Sequence, residues 1–123
     1  MVEKHDIRPL WIGYDRAMAN YWQAEMVSCG FDMVPVAQGP YTWTYSFKAM
    51  GAAFTEHNVI YNNNPVMRWC LSNTASKSLN KDGIETVQPV KIQTNRRIDA
   101  TVSALNAWVV YDKHFEEYMS YIG

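Results

Sequence analysis

The feature that most constrains the fold is a strand–helix–strand pattern near the start of the chain. Residues 10 to 14 form a short apolar run that follows Pro9 and ends at Asp15. Because no polar alternation marks a solvated face, this run predicts a buried strand of a parallel sheet. A helical pattern over residues 16 to 28 leads to a second strand over residues 31 to 36. Two strands joined through a helix make a βαβ unit, which predicts the α/β class.

The helix of this unit carries apolar side chains at helical spacing and is followed by Gly30, a typical helix terminator. The spacing predicts a buried stripe. Its residues are Met18, Trp22, Met26 and Cys29. Because Cys70 also lies in an apolar helical pattern, both cysteines are expected to be buried free thiols rather than partners in a disulfide.

Two helices are predicted in the middle of the chain. The first should be capped by Thr42 or Thr44, and its apolar residues recur at helical spacing from Trp43 to Phe54. The second should cover residues 66 to 72, because Pro65 suits a first helical turn.

A hairpin and a last helix are predicted in the remaining third of the chain. Residues 77 to 93 are polar and β-prone, and residues 80 to 83 have the composition of a hairpin tip. The last helix should begin near Arg96 and continue through Tyr118. Its predicted buried stripe consists of Ile98, Val102, Leu105 and Val109.

Composition excludes several classes of protein. With 48% hydrophobic residues the chain is too apolar for disorder, and its apolar runs are too short to span a membrane. The net charge of −1 gives no general basic surface for a polyanion. Lys91, Arg96 and Arg97 nevertheless crowd together before Asp99. This local charge predicts either a phosphate contact or an ordinary solvated loop.

Two aspartates stand where a fold can hold them rigidly. Asp15 follows the first strand, so it should cap the next helix or bind a ligand at the carboxyl end of the sheet. Asp99 lies in the first turn of the last helix and shares a face with Ser103 and Asn106. That face is either solvated or part of a site. Two carboxylates brought together from distant segments predict a divalent metal site.

Motifs for other chemistries are missing from the sequence. It contains no HExxH, no glycine-rich phosphate loop, no GxSxG and no Cys/His pair, and its three histidines are isolated. Neither histidine-based catalysis nor nucleotide hydrolysis is therefore predicted.

Several segments, in this order, resemble the C-terminal nuclease domain of tailed-phage terminase large subunits. The similarity runs from about Arg8 to about Tyr111. Its segments are Ile12-Gly13-Tyr14-Asp15-Arg16, Gly30-Phe31, Gln38-Gly39, the Trp43–Phe54 helix, Asn64-Pro65-Val66-Met67-Arg68-Trp69, Ser72-Asn73 and Arg96-Arg97-Ile98-Asp99-Ala100.

The resemblance implies an RNase H-like domain that cuts concatemeric viral DNA with two Mg²⁺ or Mn²⁺ ions. Asp15 then matches the acid at the end of the family's fourth strand, and Asp99 matches the acid on the last core helix. Further expected roles are backbone contacts to DNA by Lys91, Arg96 and Arg97, and orientation of water by Asn73 and Asn106. The implied partners are double-stranded DNA and other terminase or portal components, in the cytoplasm of a bacterial host.

The resemblance also predicts what this chain lacks. It has no Walker A motif, so residues 1–123 are expected to be a single domain, the C-terminal part of the nuclease domain, with no ATPase domain. The family's first three strands and their metal-bridging aspartate have no counterpart, which predicts a partial RNase H-like fold and a weak or inactive nuclease. An open sheet edge would then favour a homo-oligomer or another partner. The alternative is a non-catalytic α/β interaction module of the packaging machinery, with the acids serving as helix caps.

Overall fold

The described residues, 8–17 and 19–122, form five helices and two two-stranded sheets in the computed structural model. None of these helices is long and apolar enough to cross a membrane. The mixed α/β architecture confirms the predicted fold class. In chain order the elements are β1 (Ile12–Asp15), α1 (Asn20–Ser28), β2 (Met33–Val36), α2 (Pro40–Thr55), α3 (Pro65–Ser72), β3 (Thr74–Lys81), β4 (Ile84–Lys91), α4 (Asp99–Lys113) and α5 (Phe115–Ile122).

The βαβ unit is present as predicted. Strands β1 and β2 pair in parallel, with Ile12 opposite Met33 and Asp15 opposite Val36. Helix α1 begins at Asn20, later than predicted. The delay has a local cause, because Oδ1 of Asp15 accepts the backbone N–H of Ala17 at 3.0 Å and holds a turn before the helix.

The predicted buried stripe of the first helix is wrong. No residue of α1 is buried, and the Trp22 side chain is 45% exposed. Cys29 is also exposed, whereas Cys70 is buried as expected, and both thiols are free. Met18 lies outside the described residues. The physical reason is that α1 has its main contacts with β2, a strand of a two-stranded sheet that is too narrow to cover a helix face.

Helix α2 starts at Pro40, immediately after Gly39, so neither predicted threonine caps it. Thr44 instead lies within the helix. Its hydroxyl donates to the carbonyl of Pro40 and accepts the backbone N–H of Val87 at 3.0 Å. This contact ties α2 to the hairpin formed by β3 and β4.

The hairpin and the short helix before it agree with the sequence prediction. Strands β3 and β4 are antiparallel, and the two residues between them, Asp82 and Gly83, both have positive φ. That is the geometry of a type I′ turn, for which Asp-Gly is a preferred sequence. Helix α3 begins at Pro65 and is capped by Asn64, whose side chain accepts the backbone N–H groups of Val66 and Met67.

Helix α4 is central to the packing and contacts β1, β2, α2 and α3. Ile98 and Leu105 are buried as predicted, but Val102 and Val109 are only half-buried. Thr101 and Val110 take their places in the core. The helix ends at Lys113 and α5 follows as a separate helix. The break lies at His114, whose ring stacks on Trp11 with centroids 4.6 Å apart.

Candidate functional site

Helix α4 crosses β1 at close range, and this crossing sets the geometry of the candidate site. Gly13 lies directly under the helix: a methyl group in place of its hydrogen would be 2.7 Å from Cγ2 of Val110 and 3.3 Å from the carbonyl oxygen of Asn106. Trp11, the residue before β1, stacks on His114, which directly follows α4. The strand and the helix therefore run in opposite directions, and the carboxyl end of β1 lies at the same end of the molecule as the amino end of α4.

Asp15 ends β1 and its side chain is exposed. One carboxylate oxygen accepts the backbone N–H of Ala17, but the prediction that Asp15 caps the next helix is wrong, because Ala19 precedes α1 and no side chain caps it. The hydrogen bond stabilises a turn rather than a helix, since α1 begins only at Asn20. It also fixes the direction of a carboxylate that faces solvent.

Asp99 is the first residue of α4, and its side chain is 82% exposed. A guanidinium nitrogen of Arg97 lies 3.9 Å from its Oδ2. An ion pair this exposed contributes little to stability. The ion pair nevertheless places a cation beside the carboxylate at the amino end of the helix.

Residues 8–17 and 19–122 contain no group of three or more histidine, cysteine, aspartate or glutamate side chains arranged to hold a metal ion. A cavity of about 540 Å³ has an apolar lining that includes Met50, Phe54 and Trp108 and no carboxylate. This cavity is therefore separate from any site formed by Asp15 and Asp99.

Residues 3–114 match the family described as the terminase large subunit, endonuclease domain. This match covers most of the chain. The chain belongs to that family. The membership confirms the resemblance read from the sequence and supports a nuclease role in DNA packaging for this terminase domain. No curated protein and no solved structure matches the chain.

Asn73 holds the segment that leads to Asp99. It is buried at the end of α3, and its side-chain amide donates to the carbonyl oxygen of Arg97 at 3.0 Å. The backbone carbonyl oxygen of Asn73 accepts the backbone N–H of Ile92 at 2.9 Å. These bonds tie α3, the end of the hairpin and the entry to α4 together. Asn73 thus positions the basic segment of the terminase domain, and its predicted role in orienting water stays a prediction.

Asn106 does not lie on a solvated polar face. The prediction that the helix face shared by Asp99 and Asn106 is solvated is therefore wrong at Asn106. Its side chain is buried. Oδ1 accepts the indole N–H of Trp43 at 3.0 Å and the amide of Gln38 at 3.3 Å. The sequence pattern does not indicate these contacts with Gln38 and Trp43, because helical spacing relates residues within one helix and says nothing about partners from two other segments.

Replacing Asn106 with leucine is expected to lower the free energy of unfolding by about 1–3 kcal/mol, because the partly buried indole N–H of Trp43 would lose its acceptor. Urea denaturation followed by circular dichroism measures the change. Ser103→Ala is the matched control, since Ser103 lies one turn earlier on the same helix and is exposed. An equal cost for the two substitutions would contradict a structural role for Asn106.

The three predicted DNA-contacting cations, Lys91, Arg96 and Arg97, are all exposed. Arg97 pairs with Asp99, and Arg96 lines a cavity of about 300 Å³ between α3 and the segment after β4. The structure therefore presents cations beside the amino end of α4 and on the adjoining surface.

Proposed function

We propose that this terminase domain is a metal-dependent DNA endonuclease with a partial RNase H-like fold, in which Asp15 and Asp99 bind Mg²⁺ or Mn²⁺. The observation that carries the proposal is the antiparallel crossing of β1 and α4 at Gly13. It directs two exposed carboxylates from distant segments toward one end of the molecule.

The spacing of the two elements supports a shared site. Asp15 is two residues beyond Gly13, which is about 7 Å along a strand. Asp99 is seven residues before Asn106, which is about 10 Å along a helix. Since Gly13 lies level with the turn between Asn106 and Val110, the separation of the carboxylates along this direction is about 4–10 Å.

The donor set suits the proposed ions. Mg²⁺ keeps several waters and is commonly held in proteins by one or two carboxylates together with substrate phosphates. When bound, the ion would activate a water and stabilise the leaving oxygen of a phosphodiester. Arg97 would hold a phosphate of double-stranded DNA next to Asp99, with Arg96 and Lys91 contacting the backbone nearby.

The proposal extends to partners and setting. Strands β1 and β2 form only a two-stranded sheet within the described residues, so their outer edges offer backbone groups to another strand. We infer that this edge joins terminase or portal components, or a second copy of the chain, in the cytoplasm of the bacterial host.

Mn²⁺ binding and plasmid nicking together test the metal assignment. Asp15→Asn and Asp99→Asn each remove one charged ligand, so each should weaken Mn²⁺ binding at least about tenfold, as measured by electron paramagnetic resonance. The same variants should lose any Mn²⁺-dependent nicking of supercoiled plasmid. Asp82→Asn is the matched control, because Asp82 is an exposed acid in the hairpin turn with φ 53°, a conformation that asparagine tolerates.

Two outcomes would count against the proposal. An Asp99→Asn protein that binds Mn²⁺ and nicks DNA like the unmodified chain would remove Asp99 from the site. Absence of Mn²⁺ binding by the unmodified chain would favour the non-catalytic interaction module instead.

A further inference from the structure

Trp69 on α3 differs from the other four tryptophans. Within the described residues, each of the others has a partner for its ring or its N–H group, and these are His114 for Trp11, Tyr14 for Trp22, Asn106 for Trp43 and Tyr111 for Trp108. Trp69 has neither an aromatic contact nor a hydrogen bond from its indole in the same part of the chain, and it is 41% exposed. An indole that is not used by the fold is available to a ligand.

Trp69 lines a cavity of about 300 Å³ with a mixed polar and apolar lining. The cavity is held open by backbone hydrogen bonds: the N–H of Arg96 donates to Gln93 at 3.0 Å, and the N–H of Ile92 donates to Asn73 at 2.9 Å. Its volume is at the lower end of the range for small-ligand sites. Its lining residues are Trp69, Ser72, Asn73, Ile92, Gln93 and Arg96.

A second hollow of about 290 Å³ adjoins the first, and its lining includes Arg68 and again Trp69. Trp69 therefore borders two concave surfaces, each of which also has one arginine in its lining. Across residues 8–17 and 19–122, the side chains of Arg68, Gln93 and Arg96 form no hydrogen bond or ion pair with one another or with any other residue. A π-face flanked by free cations and an amide matches the chemistry of a nucleotide, which offers a base and a phosphate.

We propose that this Trp69 pocket binds an unpaired nucleotide of the DNA strand, with its base stacked on Trp69 and its phosphate bound by Arg96. The inference rests on the proposed nuclease function and adds the form of DNA that the domain recognises. A base within a duplex is stacked on both faces and cannot reach the indole, so the occupant is a base that has left the helix. Gln93 supplies an amide for the edge of that base.

Fluorescence anisotropy with the full chain in EDTA tests the pocket without any metal. The probes are a labelled 12-nucleotide thymidine strand and a labelled 12-base-pair duplex. Trp69→Ala should raise the Kd for the single strand about tenfold, because stacking on one aromatic side chain is lost. The Kd for the duplex should change less than about twofold, and Trp69→Phe should restore most of the single-strand affinity. For single-strand binding, the logarithm of the binding constant falls linearly with the logarithm of the salt concentration. Arg96→Ala should make this slope shallower by about 0.7, because one phosphate contact is lost.

Controls separate stacking from folding and from general charge. Tyr121→Ala removes an aromatic ring that is 63% exposed and packs on Trp11, at the other end of α4 from Arg96, so it should leave both Kd values unchanged. Circular dichroism checks that each variant is folded. If Trp69→Ala were unfolded, Trp69→Leu, which keeps an apolar side chain without a π-face, and Arg96→Ala would decide the question.

The two proposals fail in different ways. A Trp69→Ala or Trp69→Leu protein that is folded and binds the single strand as tightly as the unmodified chain would overturn the pocket and leave the aspartate site untouched. Equal loss of single-strand and duplex affinity would also overturn it, since that pattern describes a backbone contact only. Normal nicking by Asp99→Asn would overturn the metal site, while a tenfold effect of Trp69→Ala in EDTA would still support the pocket.

Discussion

Replacing Leu105 with alanine is expected to lower the free energy of unfolding by about 3 kcal/mol, within a usual range of about 2–5 kcal/mol for such substitutions in a core. The Leu105 side chain is 0% exposed. It lies on α4, the helix that packs against both strands of the parallel pair and against α2 and α3. A cavity at this position would weaken several contacts at once, because few other side chains can move to fill it.

The size of the effect matters because the core is small. Among the described residues, the buried hydrophobic side chains are Val36, Met50, Cys70, Val87, Ile98, Leu105 and Val110. Native domains have only about 5–15 kcal/mol of stability, so a loss of about 3 kcal/mol should produce a measurable unfolded population under mild denaturing conditions.

Urea denaturation followed by circular dichroism measures this change. Leu79→Ala in β3 is the matched control, because it makes the same chemical change at a position that is 47% exposed. Its cost should stay below about 1 kcal/mol. Similar midpoints for the two variants would show that Leu105 is not a core residue.

Replacing Gly13 with valine is expected to have a comparable effect, a loss of about 3 kcal/mol from overpacking. The new Cβ would lie 2.7 Å from Cγ2 of Val110 and 3.3 Å from the backbone oxygen of Asn106. The side chain of Val110 is short and buried, and the backbone of a helix cannot yield alone. Helix α4 must therefore move away from β1, although valine itself favours a strand.

Two further variants isolate the cause. Gly13→Val combined with Val110→Ala should recover part of the lost stability, because it removes the closest atom. Gly51→Ala has open space around the new Cβ and lies in helix α2, so it should instead stabilise the protein by about 1 kcal/mol. If Gly13→Val were as stable as the unmodified chain, the close crossing of β1 and α4 would be wrong.

The same substitution connects packing to the proposed function. A shift of α4 relative to β1 would change the separation of Asp15 and Asp99, so Gly13→Val should also weaken Mn²⁺ binding in a protein that remains folded. A folded variant with undiminished Mn²⁺ affinity would indicate that the crossing does not set the proposed site.

Local patterns in the sequence were sufficient for much of the architecture. The parallel βαβ unit follows from the apolar run ending at Asp15 and from the spacing to the next strand. The hairpin follows from Asp82-Gly83, and the start of α3 follows from Asn64-Pro65. Each of these signals acts between residues close in sequence, through turn geometry, capping or missing N–H groups.

The incorrect predictions of burial share one cause. Whether a side chain is buried depends on which other segments pack against it. The stripe on α1 has helical spacing but faces no large surface, so Trp22 and Cys29 stay exposed. Asn106 looks like a solvated residue by its type, yet the indole of Trp43 and the amide of Gln38 make its burial favourable.

The sequence by itself determined the family, the α/β class and the two aspartates as candidate metal ligands. These follow from the order of the motifs and from local propensity, which depend on the sequence alone. Only the tertiary structure decided which helix became central, how closely α4 crosses β1 at Gly13, and that the Trp69 indole has no partner among residues 8–17 and 19–122. These features arise from contacts between residues far apart in sequence, where shape and complementary hydrogen bonding, rather than periodicity, select the arrangement.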